Sequence, residues 1–166
     1  MMRAGVIGLG DMGSGLAKNL IKNGILTTGF DLSKLRMDAF VQMGGTPAAS
    51  IAEVGNNSDA VFVMVMNGEQ AKSVILGENG LASHMSKGGA VLLTATIKPL
   101  EAREIDTALQ GSGVHLIDSP VSGGFPGAQN GTLTMMAAAE SDVLDKYATI
   151  MAVSYTHLTL PTNREV

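Results

Sequence analysis

The stretch from Met2 to Asp31 constrains this chain most. Val6 and Ile7, set among small residues, read as a short buried strand, and Gly8-Leu9-Gly10-Asp11-Met12-Gly13 follows at once. Leu16, Ala17, Leu20 and Ile21 then recur at helical spacing, and Asn23-Gly24 is a helix stop. Ile25 to Phe30 read as a second strand, with Asp31 at its end, eighteen residues past Gly13. Strand, glycine-rich turn, helix, strand and acidic residue thus fall within one βαβ unit, the context that a G-x-G-x-x-G motif needs to indicate dinucleotide binding.

Each glycine has a separate task in that reading. Gly8 permits a tight turn, Gly10 lets a diphosphate approach the backbone without meeting a Cβ, and Gly13 lets the helix pack close. N–H groups at the helix start, Leu9 to Gly13, face the phosphates. The helix dipole adds only about 0.3–1 kcal/mol per anionic group at an exposed site, so fit and hydrogen bonds supply most of the affinity. The competing reading is a turn that needs glycine only for its backbone angles. Asp31 can accept hydrogen bonds from adenosine ribose hydroxyls, as NAD requires. A 2′-phosphate about 4 Å away would cost roughly 4 kcal/mol at an effective dielectric near 20. Lys34 and Arg36 lie close enough in sequence to soften that cost, but NAD is expected over NADP.

Strands and helices alternate along the rest of the chain. Leu32 to Met43 reads as a helix with Ser33 as N-cap, and Ser50 caps a short helix through Val54. Ala60 to Met66 is a continuous apolar run, suited to a central parallel strand. Helices are expected over Glu69 to Leu76, Leu81 to Met85, Pro99 to Leu109 and Ser141 to Ala152, with a helical turn over Pro126 to Asn130. Strands are expected over Ala90 to Leu93, Val114 to Ile117 and Thr132 to Ala138. The pattern predicts a Rossmann-type α/β fold: a doubly wound, mostly parallel sheet with helices on both faces. Ligands of such sheets bind outside the carboxyl ends of the strands, where Leu9–Met12, Met64–Asn67, Thr94–Lys98 and Asp118–Gly124 fall.

Composition excludes several other functions. With 16% charged residues and a net charge of −4, the chain lacks the basic surface that nucleic acid requires. No apolar run reaches membrane-spanning length and no secretory signal is visible. The absence of cysteine rules out disulfides and a thiol nucleophile, and fits a cytoplasmic protein. Three histidines far apart in sequence give no metal site. The length of 166 residues suits one domain.

Two motifs in order resemble the β-hydroxyacid dehydrogenase family. Ile7-Gly8-Leu9-Gly10-Asp11-Met12-Gly13, continuing through Leu16-Ala17-Lys18-Asn19-Leu20, is similar to its cofactor signature. Asp118-Ser119-Pro120-Val121-Ser122-Gly123-Gly124, with Gly127-Ala128 and Gly131-Thr132-Leu133 after it, resembles its substrate-loop signature. The resemblance implies that Met64 and Val65 line the cofactor with backbone groups and that Thr96 sits beside the nicotinamide. It implies that Ser122, Gly123 and Gly124 hold the substrate carboxylate, as consecutive N–H groups in such a turn form an anion nest. The substrate would be a small 3-hydroxy acid and the full-length parent a homo-oligomer. Ala95-Thr96 replaces the usual Ser-Thr pair, and Met66-Asn67 stands where a proline is common. Asn67-Gly68-Glu69-Gln70 and Thr94-Ala95-Thr96 are closer to the threonate-type branch.

The family's general acid/base lysine belongs to a helix some fifty residues past Ser122, beyond the end of this chain, so no residue here is assigned as catalytic. Lys98 reads as a solvated residue at a helix start. The tail from Val153 to Val166 does not resemble the family; it resembles the in-frame translation of a transposase-type sequencing adaptor and is set aside from the fold, leaving 1–152 as the dinucleotide-binding domain of a longer parent. The alternative is a native strand, which the partial alternation of Val153, Tyr155, Leu158 and Leu160 would support. A domain that senses NAD without turnover is the competing function; an imine-reductase relationship is disfavoured by the Ser-Gly-Gly loop.

Overall fold

The computed structural model describes residues 1–122, 126, 129–130, 133–153 and 155–159. Its elements are β1 (Ala4–Ile7), α1 (Asp11–Lys22), β2 (Thr27–Phe30), α2 (Lys34–Gln42), β3 (Thr46–Pro47), α3 (Ile51–Asn56), β4 (Ala60–Val63) and α4 (Gly68–Leu76). They continue as α5 (Leu81–His84), β5 (Ala90–Leu93), α6 (Pro99–Leu109), β6 (His115–Asp118), β7 (Val121–Ser122), β8 (Leu133–Met136), α7 (Ser141–Ala152) and β9 (Tyr155–Thr159).

Six strands form one parallel sheet in the order β3-β2-β1-β4-β5-β6, the doubly wound order the alternation predicts. Its register aligns the carboxyl ends. Ile7 lies opposite Phe30 on one side and Val63 on the other, Val63 lies opposite Leu93, and Leu93 opposite Asp118. All the ligand-edge loops therefore leave from one row, and the winding reverses between β1 and β4.

Alternating side chains on the central strands split the core between two faces. Val6, Phe62 and Leu92 pack with Leu16 and Leu20 of α1 and with Tyr147 and Ile150 of α7. Val61, Val63, Val91 and Leu93 pack with Ile75 of α4 and with Ile105 and Leu109 of α6. Each fully buried side chain of this size contributes about 1.5–3 kcal/mol.

Local signals set most boundaries. Ser33 Oγ accepts from the Arg36 N–H at 3.3 Å and Ser50 Oγ from the Glu53 N–H at 3.1 Å, so both caps stand as expected. The helix after Ser50 runs through Gly55 to Asn56 instead of closing at Gly55. The central strand is shorter than its apolar run. Pairing stops at Val63, because β1 and β5 end in the same row and leave Met64 to Met66 without strand neighbours.

Thr132 to Ala138 does not extend the main sheet. β8 joins a three-stranded sheet, antiparallel to β7 and parallel to β9. Asp118 and Ala138 exchange backbone hydrogen bonds of 3.1 and 2.8 Å, which tie this sheet to the end of β6. Tyr155–Thr159, part of the tail set aside above, pairs with β8, which otherwise presents an open edge on that side. The helical turn expected over Pro126 to Asn130 falls largely outside the described residues.

Candidate functional site

The strand-end row opens into a crevice of about 490 Å3 between the β1 and β4 loops, walled by the glycine turn, Asp31, Met64, Val65, Thr94 and Val121. At its floor α1 begins without a side-chain cap, since its N-cap residue is Gly10. The first-turn N–H groups, Asp11 to Gly13, have no acceptor within the helix and face this opening.

The three glycines differ in why they are needed. Gly8 has a φ of +94°, and a Cβ there would strike the Met64 carbonyl oxygen. A Cβ on Gly13 would run into the carbonyl oxygen of Gly8. At Gly10 the nearest protein atoms to a Cβ are those of the Arg36 guanidinium, at 3.7 Å, an ordinary contact. The fold thus demands glycine at 8 and 13 but not at 10. What a Cβ at Gly10 would obstruct is the mouth of the helix.

Asp31 is fixed by the backbone. Its Oδ2 accepts from the Leu9 N–H and its Oδ1 from the Ser33 N–H, each at 2.8 Å. The Asp31 N–H donates to Met37 Sδ at 3.3 Å. The Asp31 side chain is 10% exposed, and Arg36 Nη1 stands 3.6 Å from Oδ2. A carboxylate has about four acceptor positions, so capacity remains for a ligand hydroxyl. Lys34, the other nearby cation, pairs instead with Asp38 at 2.9 Å.

On the far side of Asp31 lies a second hollow of about 420 Å3, lined by Ile7, Phe30, Leu32, Ile51, Val65 and Val74. The loop dividing the two is braced by Gln70, whose Oε1 accepts from the Met66 N–H and whose N–H donates to Asn67 Oδ1, both at 2.9 Å. Thr94 is buried and its hydroxyl donates to the Val63 carbonyl at 2.9 Å, closing the β4–β5 side. A separate hollow of about 350 Å3 between α6, β6 and α7 lies away from the strand ends.

Among the residues singled out in the sequence, Gly8, Gly10, Asp11, Met12, Gly13, Asp31, Met64 and Val65 converge on the crevice. Leu9 does not: its side chain is core, and its N–H is taken by Asp31. Thr96 is exposed beyond the wall that Thr94 and Ala95 form, because the hydroxyl at 94 is the one turned into the strand ends. Ser122 pairs with Thr134 in β7, next to Val121 on the crevice wall; Gly123 and Gly124 lie outside the described residues. Lys98 is exposed at the start of α6, with its N–H bonded to Glu101 Oε1 at 3.2 Å. Gln70, Thr94 and Ala95 are crevice residues to which the sequence gave no individual role, Thr94 and Ala95 being named only within the ligand-edge loop Thr94–Lys98. Among the described residues no helix is long and apolar enough to cross a membrane.

A family model for the NAD binding domain of 6-phosphogluconate dehydrogenase matches residues 3–159. L-threonate dehydrogenase of Escherichia coli is 36% identical over 148 residues, covering 89% of this chain and 49% of that protein. NAD-dependent L-serine dehydrogenase of Pseudomonas aeruginosa is 37% identical over 146 residues, covering 88% of this chain and 49% of that protein. The crystal structure of a 3-hydroxyisobutyrate dehydrogenase from Salmonella typhimurium superposes with a TM-score of 0.91 at 30% identity, covering 96% of this chain and 56% of that one. The chain therefore spans about half the length of the curated relatives it matches. With an open helix mouth, a backbone-anchored acid and a parallel sheet wound in this order, the chain belongs to the NAD-binding domain family of the 6-phosphogluconate and hydroxyacid dehydrogenases.

Proposed function

We propose that this chain binds NAD in the β1–β4 crevice as the cofactor half of a dehydrogenase acting on a small 3-hydroxy carboxylic acid. The observation that carries the reading is Gly10: the fold leaves room for a Cβ there, yet the residue is glycine at the uncapped mouth of α1. First-turn N–H groups hold a diphosphate at that mouth. Asp31, held by Leu9 and Ser33, accepts from the adenosine ribose. The apolar hollow beyond it takes the adenine, and Val65 and Gln70 divide the two.

Thr94, Ala95 and Val121 wall the opposite end, where the nicotinamide ring belongs, with Thr96 exposed beside them. When bound, NAD supplies the hydride acceptor. Ser122, next in sequence to the crevice residue Val121, begins the Ser-Gly-Gly segment that would hold the substrate carboxylate. On the family resemblance, the general acid/base lysine lies outside this chain, which alone oxidises no hydroxy acid at a useful rate. The same resemblance implies a homo-oligomeric parent, and the cysteine-free composition fits a cytoplasmic one. We keep the non-native reading of residues 153–166 as a proposal, against a family match that runs through residue 159; β9 fills the β8 edge whatever its origin.

Calorimetric titration with NADH and NADPH tests the cofactor assignment. Saturable NADH binding tighter than NADPH is the expected result. Absence of binding to either nucleotide overturns the reading, and a clear NADPH preference overturns the role given to Asp31.

A further inference from the structure

Resting on the dinucleotide reading of the crevice, we infer that Glu101 is a positioning residue: its carboxylate latches the Thr94–Lys98 loop onto the start of α4 and so holds the nicotinamide end of the crevice in shape. Two segments build that end. Met66 and Gln70 come from the loop after β4 and the first turn of α4, and Thr94 and Ala95 from the loop after β5. Their bases are joined, since the Thr94 hydroxyl donates to the Val63 carbonyl at 2.9 Å. Their far ends meet at Glu101. Its Oε1 accepts from the Lys98 N–H at 3.2 Å, which fixes the last residue of the β5 loop. Its Oε2 stands where a Cβ on Gly68 would stand. Gly68 is buried there and Glu101 half-buried.

The start of α4 is a firm anchor. Asn67 Oδ1 accepts from the Gln70 N–H and Gln70 Oε1 from the Met66 N–H, so the backbone on either side of Gly68 is held. Glu101 passes that rigidity to the segment that carries Thr96. The carboxylate also lies at the start of both α4 and α6, where the positive ends of their dipoles favour a negative charge. One turn further along, Lys72 pairs with Glu104, which holds the two helices side by side, whereas Glu101 holds the loops that lead into them. Gly68 has helical backbone, for which alanine is the better residue, so what glycine supplies at 68 is room for the carboxylate. A methyl group there has only to displace the end of a flexible side chain. Gly68→Ala therefore opens the latch and spares the fold.

The test is calorimetric titration of the full 166-residue chain with NADH and with ADP-ribose, which lacks the nicotinamide, for wild type, Glu101→Ala, Glu101→Gln and Gly68→Ala, each checked for folding by circular dichroism. Wild type is expected to bind NADH more tightly than ADP-ribose. Glu101→Ala and Gly68→Ala should each weaken NADH by about threefold or more, because the loop must then be ordered by the ligand. ADP-ribose, which reaches only the glycine turn and Asp31, should stay within about twofold. Glu101→Gln keeps an acceptor for the Lys98 N–H and should stay within about twofold for both ligands. The inference is overturned by unchanged NADH affinity in either alanine variant, by ADP-ribose weakening in step with NADH, by a glutamine variant that behaves like the alanine one, or by a wild type that binds the two ligands equally; in these cases the function proposed above stands. A wild type that binds neither ligand overturns both.

Discussion

The N–H of Leu9 donates to Asp31 Oδ2 at 2.8 Å, joining the turn after β1 to the end of β2. Asp31 is therefore a structural clamp as well as the proposed ligand for ribose. Asp31→Ala should do two things together: weaken NADH binding by about tenfold or more, and lower unfolding stability by about 1–3 kcal/mol through the unsatisfied N–H groups it leaves. Asp31→Asn keeps an acceptor oxygen and should recover part of the stability but less of the binding. Urea unfolding alongside calorimetry separates the two effects.

The three glycines of the turn should separate in the same way. Gly10→Ala meets nothing closer than 3.7 Å in the protein, so stability should change by less than about 0.5 kcal/mol while NADH affinity falls by at least about tenfold. Gly8→Ala and Gly13→Ala push a Cβ onto the carbonyl oxygens of Met64 and Gly8, and should cost roughly 2 kcal/mol or more in stability. A Gly10→Ala variant that binds NADH normally would remove the main support for a diphosphate at the helix mouth.

Much of this arrangement was legible because the deciding signals are local. Pro99 at the first turn of α6, Ser33 and Ser50 as caps, and the apolar β5 run place those elements without tertiary information. Other features depend on neighbours. The apolar run from Ala60 to Met66 does not show where pairing ends; that is set by Ile7 and Leu93. Thr94 and Thr96 sit on opposite sides of Ala95, and composition does not tell which one is buried. The partner of Lys34 was readable, since Asp38 lies four residues on along a helix. That Arg36 reaches back to Asp31 was not, because it depends on the angle at which α2 leaves β2. The strand of the tail was present only as a weak alternation, and its pairing with β8 depends on an edge presented on the other side of α7, which local pattern does not show.

Stability should fall at alkaline pH through Tyr147. Its hydroxyl donates to the Gly88 carbonyl at 2.5 Å, and burial, with a smaller contribution from the Asp59 charge, pushes its pKa up to about 12. The folded state holds this proton more tightly than the unfolded chain, whose tyrosine titrates near 10. The contribution is complete below about pH 10 and is lost as pH rises towards about 12, to the extent of roughly 2–3 kcal/mol. Tyr147→Phe should flatten that alkaline limb in thermal melts between pH 9 and 12, which are about the bounds of the titration.

The acid limb should depend on Arg3 and Asp59. Burial pushes the Asp59 carboxyl up, but hydrogen bonds and charge from Arg3 outweigh it and leave the pKa below the ordinary value. Stability from this pair is present above the unfolded pKa and lost as pH falls through the folded one. Both side chains are about one-third exposed, so the term is at most about 1 kcal/mol. Arg3→Ala should move acid unfolding to higher pH, measurable by circular dichroism below about pH 4.

Removal of residues 154–166 gives the sharpest separation between the crevice and the rest of the chain. Among the described strands β9 pairs with β8 alone, and the described walls of the crevice come from the β1, β2, β4 and β5 ends and Val121. The shortened chain should keep NADH affinity within about twofold, since no hydrogen bond of the Asp31 clamp or the helix mouth is touched. Its solubility should fall, because β8 is left with an open edge next to the exposed Met136. Loss of binding on truncation would mean that the small sheet holds Val121 and the loop before it in place, and that the site extends further from the glycine turn than its hydrogen bonds do.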